Sequence, residues 1–586
     1  MTEFYASHHP AALPALKPPP APSRRPWPAA ALALGALLTA CGGGGGSDGA
    51  APPPAPVPPS APVPPPAPTP SPSFTLSVPA NKAIVWQGDE ATVTVNVERA
   101  NGFAEAVQLA AQELPGGVSA GAVSVPAGAA SAALKLQAAP TAPHSLPTTV
   151  TVKGTAGTLS ATQTMTATVR GKPGDVDTSF GGGINVIPVG LTDDSVRGVA
   201  VQSDGKVLVT GFAVPTAASG TEFFLLRTLR DGGLDASFGT GGKVYTGFNN
   251  GAASDEAQAV AVQADGKILV AGASDQGATG YDFALARYNA DGSLDASFGT
   301  GGRVVTAFGP QSDKAYAVLV QPDGKILVGG ESVQATTGGD FALARYNADG
   351  SLDASFGQGG KVLTPIGEFG AREAIYGLAL QTVGGSTRIV AVGGEGDFRV
   401  VRYTATGQPD ASFDTGGVVK TVFGGVIGAA RSVVITTDNK IAIAGHADHD
   451  MAVVRLLPDG ALDASFGLTD FDLPGKRIVA LSSTNWDEAT ALVQQEDGKL
   501  LISGWVYSGN SSSGDTALVR LLANGALDHS FGEHGVKRTA VAANGKNDQG
   551  RALVLQPDSR VPTVRVIQAG EANGSDHDLV LMRHWL

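Results

Sequence analysis

The motif Asp-x-Ser-Phe occurs seven times, with its phenylalanine at Phe180, Phe238, Phe298, Phe356, Phe413, Phe466 and Phe531. The steps between copies are 58, 60, 58, 57, 53 and 65 residues. Self-similarity at a nearly fixed period marks a repeat architecture, in which each unit buries its apolar face on its neighbours. One clear copy begins with the strand-like run Ala259-Val-Ala-Val-Gln, turns at Asp265-Gly266 and returns as Lys267-Ile-Leu-Val-Ala-Gly. It continues as Phe283-Ala-Leu-Ala-Arg-Tyr, turns at Asp291-Gly292 and ends with Arg303-Val-Val-Thr. Asp-Gly between alternating apolar runs predicts a hairpin with a type I′ turn. Four antiparallel strands repeated radially make a propeller blade. The expected fold is all-β: a seven-bladed β-propeller of four-stranded blades over residues 175–586.

Composition agrees. Glycine is about 13% of the 586 residues and charged residues are 16%, against about 7% and 25% in ordinary globular chains. Many short strands joined by tight turns need such a composition. No Gly-X-Y period appears, which excludes collagen. The net charge of −13 opposes binding to nucleic acid or to anionic lipid through a basic patch.

The runs Gln-x-Asp-Gly-Lys-Ile-Leu-Val, Phe-Ala-Leu-Ala-Arg-Tyr and Leu-Asp-x-Ser-Phe-Gly resemble the delta-60 repeat family. That resemblance covers about 410 residues. It implies a β-propeller and no established activity.

The repeats also predict how the ring closes. An arginine recurs in each third strand: Arg227, Arg287, Arg345, Arg402, Arg455, Arg520 and Arg583. Eight residues after each of the first six stands the motif aspartate, namely Asp235, Asp295, Asp353, Asp410, Asp463 and Asp528. Arg583 lacks such a successor, and Asp177 lacks a preceding arginine. A strand near 184–189 that completed the C-terminal blade would bring Asp177 to Arg583 and remove the exposed edges. Buried charges must be paired, so one pair per blade reads as structural.

The front of the chain reads as an address. Arg24 and Arg25 precede a mostly apolar run at 29–40, which is too short to span a bilayer and suits a signal peptide. Leu38-Thr39-Ala40-Cys41 resembles the lipobox of bacterial lipoproteins, which implies an acylated Cys41 as the mature N-terminus. Cys41 is the only cysteine in the chain, so no intrachain disulfide forms. Gly42 after the cysteine, by resemblance to enteric sorting, implies the outer membrane. Pro26-Trp27 fits the twin-arginine motif poorly. Residues 41–72 form a Gly/Pro-rich linker, with 13 prolines over 52–72. That tract reads as a polyproline II spacer of roughly 65 Å. An SH3-type ligand tract would have a similar composition.

Residues 73–170 alternate with period 2, for example Phe74-Thr-Leu-Ser-Val and Ala91-Thr-Val-Thr-Val-Asn-Val, which predicts a β-sandwich. Arg99-Ala-Asn-Gly-Phe and Leu114-Pro-Gly-Gly-Val resemble cysteine-free bacterial immunoglobulin-like domains. Trp86 is expected in its core.

No catalytic constellation, cofactor site or metal site is recognised. An acidic residue stands five before each third-strand arginine, at Glu222, Asp282, Asp340, Asp397, Asp450, Asp515 and Asp578. It reads as a turn cap rather than a cation-binding ring. Asn289 to Asp295 lacks the first and last ligands of a calcium loop. His446 and His449 supply only two imidazoles, in one blade. No Gly-x-Ser-x-Gly elbow occurs. The connections from strand two to three, and from strand four to the next blade, are long and variable and share one face, where binding is expected. They hold few aromatic residues.

The reading is an outer-membrane lipoprotein, anchored in lipid through Cys41 and facing the periplasm or the cell surface. Its propeller would be a non-enzymatic binding or scaffold domain for a protein or polysaccharide at the long-loop face. The alternative is a propeller hydrolase or lyase acting on a polymer. A cluster of His, Asp and Arg converging on the channel would favour the enzyme; small residues there would favour binding.

Overall fold

A computed structural model of the chain describes residues 69–586 apart from residue 193 and the segments 250–252, 368–371, 425–426, 468–473, 483–485, 508–513, 542–546, 559–562 and 573–577. The expected leader at 1–40, Cys41 and residues 42–68 of the linker lie outside the described residues. The described residues form strands and turns and no helix.

Residues 73–170 build two sheets around one apolar core. Strands Ser73–Ser77, Glu90–Ala100, Ser131–Ala138 and Val118–Ala120 form one sheet. Lys82–Trp86, Leu159–Arg170, Thr148–Ala156, Val107–Gln112 and Val123–Val125 form the other. Period-2 alternation sends Val93, Val95 and Val97 inward to meet Leu134, Val150 and Val152. Trp86 does not join this core. On the strand Lys82–Trp86, Val85 is fully buried while Trp86 is half-buried, because the side-chain period places neighbours on opposite faces. Asn101 and Gly102 both have positive φ, which makes the Ala100–Phe103 turn a type I′ turn.

From Ile184 onward, seven four-stranded antiparallel sheets follow among the described residues. Their first strands are Ser195–Val201, Asp255–Val262, Asp313–Val320, Ile375–Val383, Gly428–Ile435, Asp487–Gln494 and Asp548–Asp558. The sheets are numbered below in that order. Each first strand packs on the next, and the seventh packs on the first, so the sheets form a ring around a channel lined by all seven first strands.

The second strands are buried over most of their length, as in Ile268–Asp275 and Ile441–Ala447, while Ser386–Gly393 begins exposed. These strands therefore carry continuous apolar runs and not alternation. Large side chains fill the junctions between sheets, with Phe238, Phe298 and Phe356 fully buried.

The Asp-Gly turns depart from the predicted type I′. Gly266 has φ of 83° while Asp265 is absent from the positive-φ residues. Gly266 N donates to Gln263 O and Gln263 N donates to Lys267 O. This is a type I turn followed by a left-handed glycine, the three-residue hairpin loop. In the fifth sheet Asn439, at φ of 65°, takes the glycine's place.

The seventh sheet is assembled from both ends of the ring. Strand Ile184–Ile187 pairs antiparallel with Asp578–Trp585, completing a sheet whose other strands are C-terminal. The strand stops at Ile187, two residues short of the expected end, because Pro188 has no N–H to continue the ladder.

Candidate functional site

Two recurring constellations arise from the repeat, and they lie at opposite ends of each sheet. At the short-turn end, each third-strand arginine donates through Nε to its aspartate Oδ2. The distance is 2.8 Å for Arg227–Asp235, Arg287–Asp295 and Arg520–Asp528. It is 2.7 Å for Arg345–Asp353 and Arg455–Asp463, and 2.9 Å for Arg402–Asp410 and Arg583–Asp177. The motif serine donates to Oδ1, as Ser297 Oγ does to Asp295 at 2.7 Å. The guanidinium lies over the motif phenylalanine, 4.4 Å from the Phe298 centroid for Arg287.

A further cation, from the start of the second strand, shares the same carboxylate. Lys206, Lys267, Lys325, Arg388, Lys440, Lys499 and Arg565 approach it within 2.5 to 3.3 Å. Burial alone would raise the Asp295 carboxyl, but bonds from Lys267 and Ser297 and the charge of Arg287 hold it well below the usual range. Arg287 Nη1 also donates to Ala348 O in the third sheet's turn, and Arg583 Nη1 to Arg230 O in the first sheet's turn at 2.9 Å. The charged groups bond both within and between sheets, so this constellation holds the ring together. The Asn289–Asp295 stretch belongs to it as a turn, with Asp291 Oδ1 accepting from Ser293 N at 2.9 Å.

At the other end each first strand slips by one residue against the second strand. The residues left out of register are Arg197, Gln258, Tyr316, Tyr376, Arg431, Thr490 and Arg551. A β-bulge re-aims its extra side chain. Here all seven line the channel, beside small residues such as Gly198, Ala259, Ala317, Gly377 and Ala491. An aromatic and charged arc crosses successive sheets. Tyr316 and Tyr376 stand 5.1 Å apart, Arg431 lies 4.5 Å over Tyr376, and Arg431 Nε donates to Glu488 Oε1 at 2.7 Å. Lys314 Nζ sits 3.8 Å over Tyr281 and 3.0 Å from Glu256. Across the channel Glu571 accepts from Arg197 at 3.1 Å and from Arg551 at 3.4 Å.

His446 Nδ1 lies 3.5 Å from Glu488 Oε1. Burial raises the Glu488 carboxyl, but His446 and Arg431 outweigh it and bring it down to about 2. His446 is buried and His449 exposed, and their rings lie 5.6 and 4.9 Å from Trp486. Among the described residues no group of three or more His, Cys, Asp or Glu could hold a metal ion.

The third-strand acids do reach the turns before them in two sheets, where Thr279 and Thr337 hydroxyls donate to Asp282 and Asp340 at 3.3 and 2.7 Å. A second set of buried acids begins the first strands. Asp255 Oδ2 accepts from Phe248 N at 2.8 Å, Asp313 Oδ2 from Phe308 N at 2.6 Å and Asp487 Oδ2 from Leu481 N at 2.7 Å. These carboxylates cap the connection that enters each sheet. The aromatic residues missing from the variable loops are supplied by strands, and the bulged positions were not singled out as site residues. Their signal is the acid three residues earlier, at Asp194, Asp255, Asp313, Glu373, Asp487 and Asp548.

Six stretches, residues 202–238, 263–298, 321–356, 382–413, 436–466 and 495–531, match the model of a family described as "Domain of unknown function (DUF5122) beta-propeller". Residues 202–531 are thus a repeat β-propeller. No curated protein matches the chain. Among solved structures, a DUF4784 family protein from Bacteroides caccae is 12% identical, over 71% of this chain and 97% of its own, at a TM-score of 0.24. The tail fiber of Staphylococcus aureus phage P68 is 10% identical over 70% and 95%, at a TM-score of 0.21. Scores this low carry nothing over to this chain.

Proposed function

We propose that the chain is a cell-envelope lipoprotein, anchored in the outer membrane through acylated Cys41, whose propeller binds a protein or polysaccharide without transforming it. In this reading the two sheets of residues 73–170 are an immunoglobulin-like spacer domain, and the seven sheets are seven blades. The observation that carries the binding role is the set of seven bulged side chains, Arg197, Gln258, Tyr316, Tyr376, Arg431, Thr490 and Arg551, gathered around one channel. Their identities change from sheet to sheet while the scaffold beneath them repeats. Variable side chains on a rigid frame suit recognition. Aromatic rings beside guanidinium groups suit sugar hydroxyls or a polar peptide surface.

The enzyme alternative has less support. Glu488, the carboxylate nearest His446, already faces Arg431 and His446 and is ionised, so it lacks the raised proton affinity of a general acid.

The test is co-sedimentation of the full-length protein with peptidoglycan sacculi and with insoluble polysaccharides, with the supernatant assayed for released reducing ends. Binding without release is expected. Release of reducing ends would overturn the non-enzymatic reading, and failure to pellet with every polymer would remove the polysaccharide arm. Incorporation of labelled palmitate into wild type and not into Cys41→Ser is expected for the anchor; label in both would refute it.

A further inference from the structure

The ring departs from its own repeat at one place. Where the seventh sheet meets the two-sheet unit, a cleft of about 650 Å³ opens between them. Its walls carry five cationic side chains, Arg170, Lys206, Arg230, Arg565 and Arg583, and three carboxylates, Asp177, Asp204 and Asp231. A surplus of two positive charges is thus concentrated in one cleft of a chain whose net charge is −13.

One donor in this cleft is unused. Arg170 is half-buried, and its guanidinium makes no hydrogen bond or ion pair with any described residue. The cations are also crowded. Burial is the largest cause lowering the Arg565 pKa, Asp177 opposes it, and the charges of Arg583 and Arg170 add to the fall, leaving it at about 10. The six other sheets place a lysine or arginine beside the equivalent aspartate. Here His144 enters from residues 73–170, 3.3 Å from Asp177 Oδ1, and Arg170 stands between this cleft and the sixth sheet's Lys499 and Arg520.

We propose that this cleft is a binding site for a phosphate group, with Arg170 as the donor and Arg565 and Arg583 supplying the field. A phosphate carries about −1.5 to −2 charge at neutral pH and several acceptor oxygens. It therefore matches a surplus of two charges better than a single carboxylate does. Guanidinium groups are the side chains suited to it geometrically. The cleft has room for more than the phosphate alone, so the group arrives either as free phosphate or as a phosphomonoester on a sugar.

The experiment is calorimetric titration of the full chain with inorganic phosphate and, separately, with glucose 6-phosphate, each against wild type and Arg170→Gln. Saturable binding is expected for wild type, weakened at least tenfold in Arg170→Gln. Tighter binding of the sugar phosphate identifies the ester as the source, and equal affinities identify free phosphate. Because Arg170 has no protein partner and is repelled by Arg565, the melting temperature of Arg170→Gln without phosphate should be no lower than that of wild type. Arg170→Lys, keeping the charge without the fork, should fall between the two in affinity. Absence of saturable phosphate binding to wild type, or equal affinity in Arg170→Gln, overturns the proposal.

Discussion

Arg583 Nε donates to Asp177 Oδ2 at 2.9 Å, across 406 residues of chain, in the geometry that Arg287 and Asp295 adopt eight residues apart. The match extends along the backbone. Asp177 N donates to Arg583 O as Asp295 N does to Arg287 O, and Trp585 N donates to Asp175 O as Asn289 N does to Ser293 O. The gap between Leu586 and the incoming chain thus falls where the other sheets have their second Asp-Gly turn. Gly532 N of the sixth sheet donates to Pro173 O, so the incoming segment also replaces that turn as a partner of the preceding sheet. The two ends of the ring are joined by hydrogen bonds and charge in place of a covalent turn.

Asp177→Asn should therefore destabilise the ring strongly. It removes the carboxylate that faces both Arg583 and Arg565 and leaves two buried guanidinium groups without their counter-charge. Loss of one partner of a buried pair costs about 3–5 kcal/mol. Urea denaturation of wild type and variant measures the cost, and a loss below about 1 kcal/mol would contradict the assignment.

Glu373 should make stability fall as pH rises. It is buried at 1% exposure, and burial, helped by Asp397 and Glu395 against Arg399, raises its carboxyl from 4.5 to about 7. Between those values the folded state holds a proton that the unfolded state has released. Stability from this group is therefore complete below pH 4.5 and is lost as pH climbs through about 7. Glu373→Gln should gain on the order of 1–2 kcal/mol at pH 8 and nothing at pH 4. Denaturation midpoints at the two pH values give the comparison, and a gain confined to pH 4 would have the wrong sign.

Gly266→Ala isolates the cost of the left-handed turn position. The added Cβ meets nothing within 4 Å, so only the positive φ of 83° opposes it. A loss of about 1–2 kcal/mol is expected. Gly266→Asn should lose less, since Asn439 already occupies the equivalent position at φ of 65°. Equal losses in the two variants would show that the backbone argument is incomplete.

The repeat and the Arg–Asp spacing were legible because the same residue types return at the same place in each period. The bulged positions were harder. Only their place recurs, while the residue changes among Arg, Gln, Tyr and Thr, so no residue type marks them. The lysine that follows each first Asp-Gly was visible in the motif, but its role needed the fold to bring it across to Asp295. The type I′ expectation read Asp265-Gly266 as the whole loop, whereas Ala264 belongs to it and moves the left-handed residue to Gly266 alone. Contacts between the two-sheet unit and the ring, such as His144 with Asp177, carry no period and leave no trace in a single chain.

The central claim is that the recurring charges hold the ring while the bulged residues face a ligand. The most direct measurement compares polymer retention and melting temperature for Tyr376→Ala and Arg287→Ala in the full chain. Tyr376→Ala is predicted to lose retention while its melting temperature moves little, and Arg287→Ala to melt lower by an amount reflecting about 3–5 kcal/mol. Full retention by Tyr376→Ala, with Arg287→Ala as stable as wild type, would contradict both halves of the claim.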